Sequence, residues 1–169
     1  MNNEVKVKEA HVAQAAEQGM DEFLQVFVDA IRETVGTELT SESMARLNAD
    51  QITLLAYVML RDEVMDGGFV QLIHNGYGPF FFRNPFAKAV REWGLRDLYK
   101  LVNRAHKLYN LYHKDIEQDC TDEEFMALFE RFQAFDDLDD EFVENEEEWT
   151  SLVAQYIDEH LENFAQIDE

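Results

Sequence analysis

The sequence predicts an all-α protein: a single compact multi-helix domain, an irregular helical bundle with an ordered aromatic loop after its central helix. Three observations carry this. Apolar residues recur at three- and four-residue spacing through most of the chain. All seven glycines and both prolines lie at or before Gly94, most of them where such a stripe runs out. With 46% hydrophobic and 12% aromatic residues, 169 residues suffice for one domain with a substantial core.

The elements follow in order. Residues 1–19 are weakly patterned and are expected to be a weakly ordered N-terminal segment ahead of a single all-helical domain over 20–169. A first clear helix spans about Asp21 to Val35, with Phe23, Val26, Phe27, Ala30 and Ile31 on one face. Thr40 or Ser41 caps a short helix to about Leu47. Asp50 opens a longer helix ending at Gly67, apolar on most sides and so central and buried. Phe69 to Arg83 reads as a short helix followed by the aromatic loop, and Asn84-Pro85 restarts a helix that ends at Gly94. From Leu95 to Ile116 the apolar positions alternate by three and four, with Arg96, Lys100, Arg104, Lys107 and Lys114 off that seam.

Thr121 with Glu124 forms a capping box ahead of Phe125, Leu128, Phe129 and Phe132. Asn145 with Glu148 forms a second, weaker one ahead of Trp149 to Phe164. Between them the acidic stretch from Asp136 reads as an ordered connection pinned by Leu138, Phe142 and Val143.

The net charge of −22 is unevenly placed. Residues 1–84 carry 13 acids and 6 bases, residues 85–114 carry 2 acids and 7 bases, and residues 115–169 carry 21 acids with Arg131 as the one base. A general adaptation to high salt would spread acids over every exposed face, whereas concentration makes a focused field. Its sign disfavours direct binding to nucleic acid or to an anionic membrane and favours a cationic partner. Cys120 alone excludes an internal disulfide. With neither a signal peptide nor an 18-residue apolar run, a reducing, cytoplasmic setting is expected.

A charge run is ordinarily a solvated helix face. Here 21 acids in 55 residues correspond to about 4 Å of helix axis per charge, at the α-helical rise. One strand of duplex DNA presents a charge every ~3.4 Å. Self-repulsion at that density is destabilising, which argues for a compensating role. A protein that grips phosphates with Lys and Arg would dock through screened ion pairs that weaken with salt.

A calcium loop is the competing reading. Counting Asp137 as position one places Asp139, Glu141, Asn145 and Glu148 at three, five, nine and twelve, but the turn glycine is replaced by Phe142. A purely structural acidic domain is the other alternative. Catalytic motifs are missing: His11, His74, His106, His113 and His160 form no H-E-x-x-H and no Glu-x-x-His pair, and no G-x-S-x-G or P-loop appears. His113 and Glu117 share a helix face as a surface hydrogen bond would, and Cys120 has no base beside it in sequence. The chain is expected to be non-enzymatic, without catalytic residues, metal ligands or cofactor.

The segment Glu63-Val64-Met65-Asp66-Gly67-Gly68-Phe69-Val70-Gln71, followed by Asn75, Gly78-Pro79-Phe80 and Asn84-Pro85-Phe86 and preceded by Leu60-Arg61-Asp62, resembles the hallmark of a bacterial family of DNA-mimic proteins. The likeness covers about residues 20–165. It implies an all-helical homodimer that binds a helix-turn-helix type transcription factor in place of operator DNA. The acidic final third makes this chain resemble the mimic branch. The candidate partner-binding acids are Glu117, Asp119, Asp122, Glu123, Asp136, Asp137, Asp139, Asp140, Glu141, Glu144, Glu146, Glu147 and Glu148, facing a basic DNA-binding protein.

Overall fold

The computed structural model describes residues 4–169, so residues 1–3 of the expected weakly ordered segment lie outside the described residues. Among the described residues there are ten α-helices, one 3-10 turn and one two-stranded sheet, and the protein is all-α as expected. The described residues divide into two compact units, residues 4–55 with 148–169, and residues 56–147.

The first unit begins with β1 (Lys6–Lys8) and α1 (Glu9–Gln18), followed by α2 (Met20–Val35) and α3 (Ser41–Ala45). It also takes in the first turns of α4 (Ala49–His74), the last turns of α9 (Asp136–Glu159), α10 (Leu161–Phe164) and β2 (Gln166–Asp168). β1 pairs in parallel with β2, Val7 opposite Ile167, and Val5 and Val7 are buried. Because the pairing strand lies at the other end of the chain, no local pattern announces it.

Leu24, Phe27, Val28 and Ile31 of α2 form one buried stripe, and the Phe27 ring meets Phe164 edge to face at 6.4 Å. Thr40 caps α3 by accepting the Ser43 amide at 3.1 Å, as its sequence position suggests. Asn48, not Asp50, caps α4: its side chain accepts the Gln51 amide at 2.8 Å, while Gln51 returns an acceptor to the Asn48 amide at 3.0 Å. Asp50 is held instead by the Tyr156 hydroxyl, at 3.1 Å, and by Asn163, at 3.0 Å.

The second unit holds the rest of α4, then α5 (Gly78–Phe82), α6 (Phe86–Glu92), α7 (Arg96–Ile116), α8 (Asp122–Arg131), the 3-10 turn Gln133–Phe135 and the first turns of α9. The helix expected to stop at Gly67 kinks there and resumes to His74. Gly67 and Gly68 leave helical geometry, Gly68 with φ of 72° and ψ of −175°. Most of the expected aromatic loop is the short helix α5, whose rings meet edge to face, Phe80 on Phe81 at 5.1 Å and Phe81 on Phe86 at 5.2 Å. Gly78 permits a close approach: a Cβ there would run into the Tyr109 ring of α7.

The apolar seam of α7 lies inward, with Leu98, Leu101, Val102, Ala105, Tyr109 and Ile116 buried. It is core of this chain, so it supplies no free face for pairing two copies.

Candidate functional site

The acidic stretch from Asp136 is not a connection but the start of α9, which runs without a break from Asp136 to Glu159. The reason is legible in the spacing: Leu138, Phe142, Trp149 and Val153, all buried, lie on one helical stripe. Asn145 is consequently a mid-helix residue, its amide donating to the Glu141 carbonyl at 2.8 Å, and caps nothing. Val143, one position off the stripe, is 52% exposed instead of pinning the segment. Three carboxylates, Asp136, Asp137 and Asp139, fall in the first turn, where the helix dipole offsets part of their mutual repulsion.

This geometry also removes the calcium loop. Its twelve positions are consecutive helical residues, Phe142 is fully buried, and ligands at one, three and five of a helix radiate in different directions.

Within residues 136–147, Asp136, Asp137, Asp140, Glu144 and Glu147 are exposed. Five charges over twelve helical residues average about 3.6 Å of axis per charge, close to the ~3.4 Å of one DNA strand. Glu148, the next residue, is exposed as well. The other candidate acids of this helix are less exposed. Glu141 takes an ion pair from Arg104 of α7 at 2.5 Å, Glu146 is half-buried, and Asp139 is partly buried and bonded to backbone.

The second group of candidate acids surrounds the start of α8. Thr121 accepts the Glu124 amide at 3.2 Å while Glu124 accepts the Thr121 amide at 3.3 Å, the reciprocal cap expected from the sequence. Asp122 and Glu123 follow in the first turn, and they and Asp119 are exposed. Glu117 is tied inward, accepting from the Tyr109 hydroxyl at 3.2 Å and lying 3.2 Å from His113 Nδ1. Burial, and then Glu117, push the Tyr109 phenol above its ordinary value. Arg131 pairs with Asp115 at 3.4 Å.

The hallmark motif explains the kink. Gln71 donates to Glu63 and to Asp66, each at 3.0 Å, and Asn75 donates to Glu63 at 3.0 Å, so the motif's Glu and Gln meet across the two glycines. A Cβ at Gly67 would occupy the space of the Gln71 side chain. Beyond the kink the Phe69 amide opens a new helical turn and is accepted by the Asp139 carboxylate at 2.9 Å. Burial, opposed by this bond and reinforced by Asp136 and Asp140, raises the Asp139 carboxyl to about 6.

Sequence reasoning missed two contacts: Asp139 with Phe69, and His74 with Cys120. His74 Nδ1 lies 2.9 Å from the Ile116 carbonyl and its Nε2 lies 3.9 Å from the Cys120 sulfur. Burial, with Glu124, Asp119 and Asp122, pushes that thiol up, away from the reactive thiolate. No helix among the described residues is long and apolar enough to cross a membrane.

These features define a helical protein that presents closely spaced carboxylates from the start of a long helix seated on a glycine kink. The family model described as DMP19-like protein matches residues 45–160, and the chain belongs to that family. It is 36% identical over 129 residues to the DNA mimic protein DMP19 of Neisseria meningitidis serogroup B (strain ATCC BAA-335 / MC58), a match covering 76% of this chain and 78% of that relative. The kink and the acidic start of α9 both lie inside the range matched by the family model.

Proposed function

We propose that this chain is a DNA mimic: it binds a DNA-binding protein, a helix-turn-helix type transcription factor, through its acidic surface and blocks that protein's access to DNA. The observation that carries the reading is the row of exposed acids in α9, spaced like the charges of one DNA strand. Membership of a family that includes a relative named as a DNA mimic supports it. Asp136, Asp137, Asp140, Glu144, Glu147 and Glu148 form the contact row, with Asp119, Asp122 and Glu123 as a second set. Asp139, Glu141 and Glu146 play a smaller direct part, because each is partly withdrawn from solvent, and so does Glu117, because the Tyr109 hydroxyl holds its carboxylate.

Many screened ion pairs of this kind release counterions and weaken steeply with salt. The experiment is a pull-down from native cell extract at low salt with a salt-ramp elution, then a gel shift of each eluted protein with its DNA. A DNA-binding protein that leaves its DNA when this chain is added supports the reading. Elution of proteins that bind no DNA, or retention indifferent to salt, contradicts it. The homodimer belongs to the same proposal through the family resemblance alone, since the α7 seam is internal. Sedimentation at micromolar concentration decides it, a monomer counting against.

A further inference from the structure

One member of the acidic row is aimed inward. The Asp139 carboxylate accepts the Phe69 amide at 2.9 Å and is partly buried, while Asp136 and Asp140 beside it are exposed. The kink places the Phe69 amide at the start of a new helical turn, because helical geometry is broken at Gly67 and Gly68. A carboxylate at the start of a helical turn is the favoured partner for such an amide, and here α9 delivers it from 70 residues further along the chain. Gly68 completes the seat: a Cβ there would overlap the Asp139 carboxylate, and its φ of 72° suits glycine.

Rotation of α9 follows from this anchor. At about 100° per residue, fixing Asp139 inward turns Asp137 and Glu144 roughly 140–160° away from it. Both are exposed. The bond and the buried side chains of Leu138 and Phe142 agree in turning these acids outward.

We propose that Asp139 is a positioning residue for partner docking: its bond to the Phe69 amide sets the seat and rotation of α9, and with them the direction in which Asp136, Asp137, Asp140 and Glu144 are presented. This rests on the docking role given to those acids above. Burial raises the Asp139 carboxyl, so charge is not what the site stabilises, whereas an acceptor oxygen at this point is.

Two substitutions separate geometry from charge. D139N keeps an acceptor oxygen at the same reach and removes the charge; D139E keeps the charge and displaces the carboxylate by one methylene. The probe is a helix-turn-helix repressor bound to its fluorescently tagged operator duplex, displaced by added chain at fixed salt. Backbone amide exchange at Phe69 and across residues 136–145 is followed in parallel, with α2 as the internal check on folding. The expected result is D139N displacing DNA within about twofold of the unsubstituted chain, with Phe69 still protected, and D139E needing about tenfold more protein, with faster exchange at Phe69 and 136–145.

The reverse ranking, D139E active and D139N weakened, would make Asp139 a contact charge and overturn the inference. Equal displacement by both variants would overturn it too. A separate variant, D136N/D137N/D140N/E144Q, keeps Asp139 and tests the underlying reading. If it displaces DNA normally the docking role of the row fails, whereas its loss of displacement alongside an active D139E sinks the positioning role alone.

Discussion

The carboxylate of Asp139 accepts the backbone amide of Phe69 at 2.9 Å, tying the acidic start of α9 to the glycine kink of α4. The family hallmark and the charged row, separate in sequence, are thereby joined in one unit of the structure. Glycines that look like a helix stop from sequence instead create an amide in search of an acceptor.

Asp139 gives stability an unusual pH dependence. Burial raises its carboxyl to about 6, well above the ordinary aspartate range, so the folded chain holds this proton more tightly than the unfolded chain does. Stability from this group therefore falls as pH rises from about 4 through 6, then levels off. A rise of that size corresponds to at most about 3 kcal/mol, and the partial exposure of Asp139 reduces it. D139N escapes the loss, so its urea midpoint relative to the unsubstituted chain should climb between pH 4.5 and pH 7. Parallel profiles would contradict this.

Arg104 and Glu141 form an ion pair at 2.5 Å with Arg104 half exposed. Such a surface pair contributes about 0–1 kcal/mol. R104A should cost no more than that in chemical denaturation. It also frees Glu141, so DNA displacement at low salt should strengthen by about twofold, an effect that fades near physiological salt.

Gly78 lies against the Tyr109 ring with no room for a Cβ. G78A should destabilise the protein by about 1–3 kcal/mol through overpacking. A lowered denaturation midpoint at unchanged slope is the signature expected.

Thr121 and Glu124 cap α8 reciprocally. T121A should cost about 1 kcal/mol. Amide exchange should quicken over the first turn of α8, leaving α2 unaffected.

Much of the fold is legible in the sequence, because helical spacing and caps are local. The stripe Phe23, Phe27, Ile31, the α7 seam and the Thr121–Glu124 box all sit where their spacing places them. What sequence hides is set by distant partners. β1 depends on a strand some 160 residues away. The start of α9 was obscured because dense acids resemble a break, although Leu138 and Phe142 already mark its buried face. Within the row, Asp139 and Asp140 look alike in sequence, and only the Phe69 amide distinguishes them. Likewise the bonds of Glu141 and Glu117, to Arg104 and Tyr109, appear only once the helices are packed.

The most direct test of the central claim is competition between this chain and operator DNA for a helix-turn-helix repressor, run over a salt series with the unsubstituted chain and with D136N/D137N/D140N/E144Q. The expected result is displacement that weakens steeply with salt, and a variant that displaces at least about tenfold less well with a shallower salt slope, because fewer ion pairs form. A folded variant matching the unsubstituted chain at every salt concentration would contradict the assignment of α9 as the DNA-like surface.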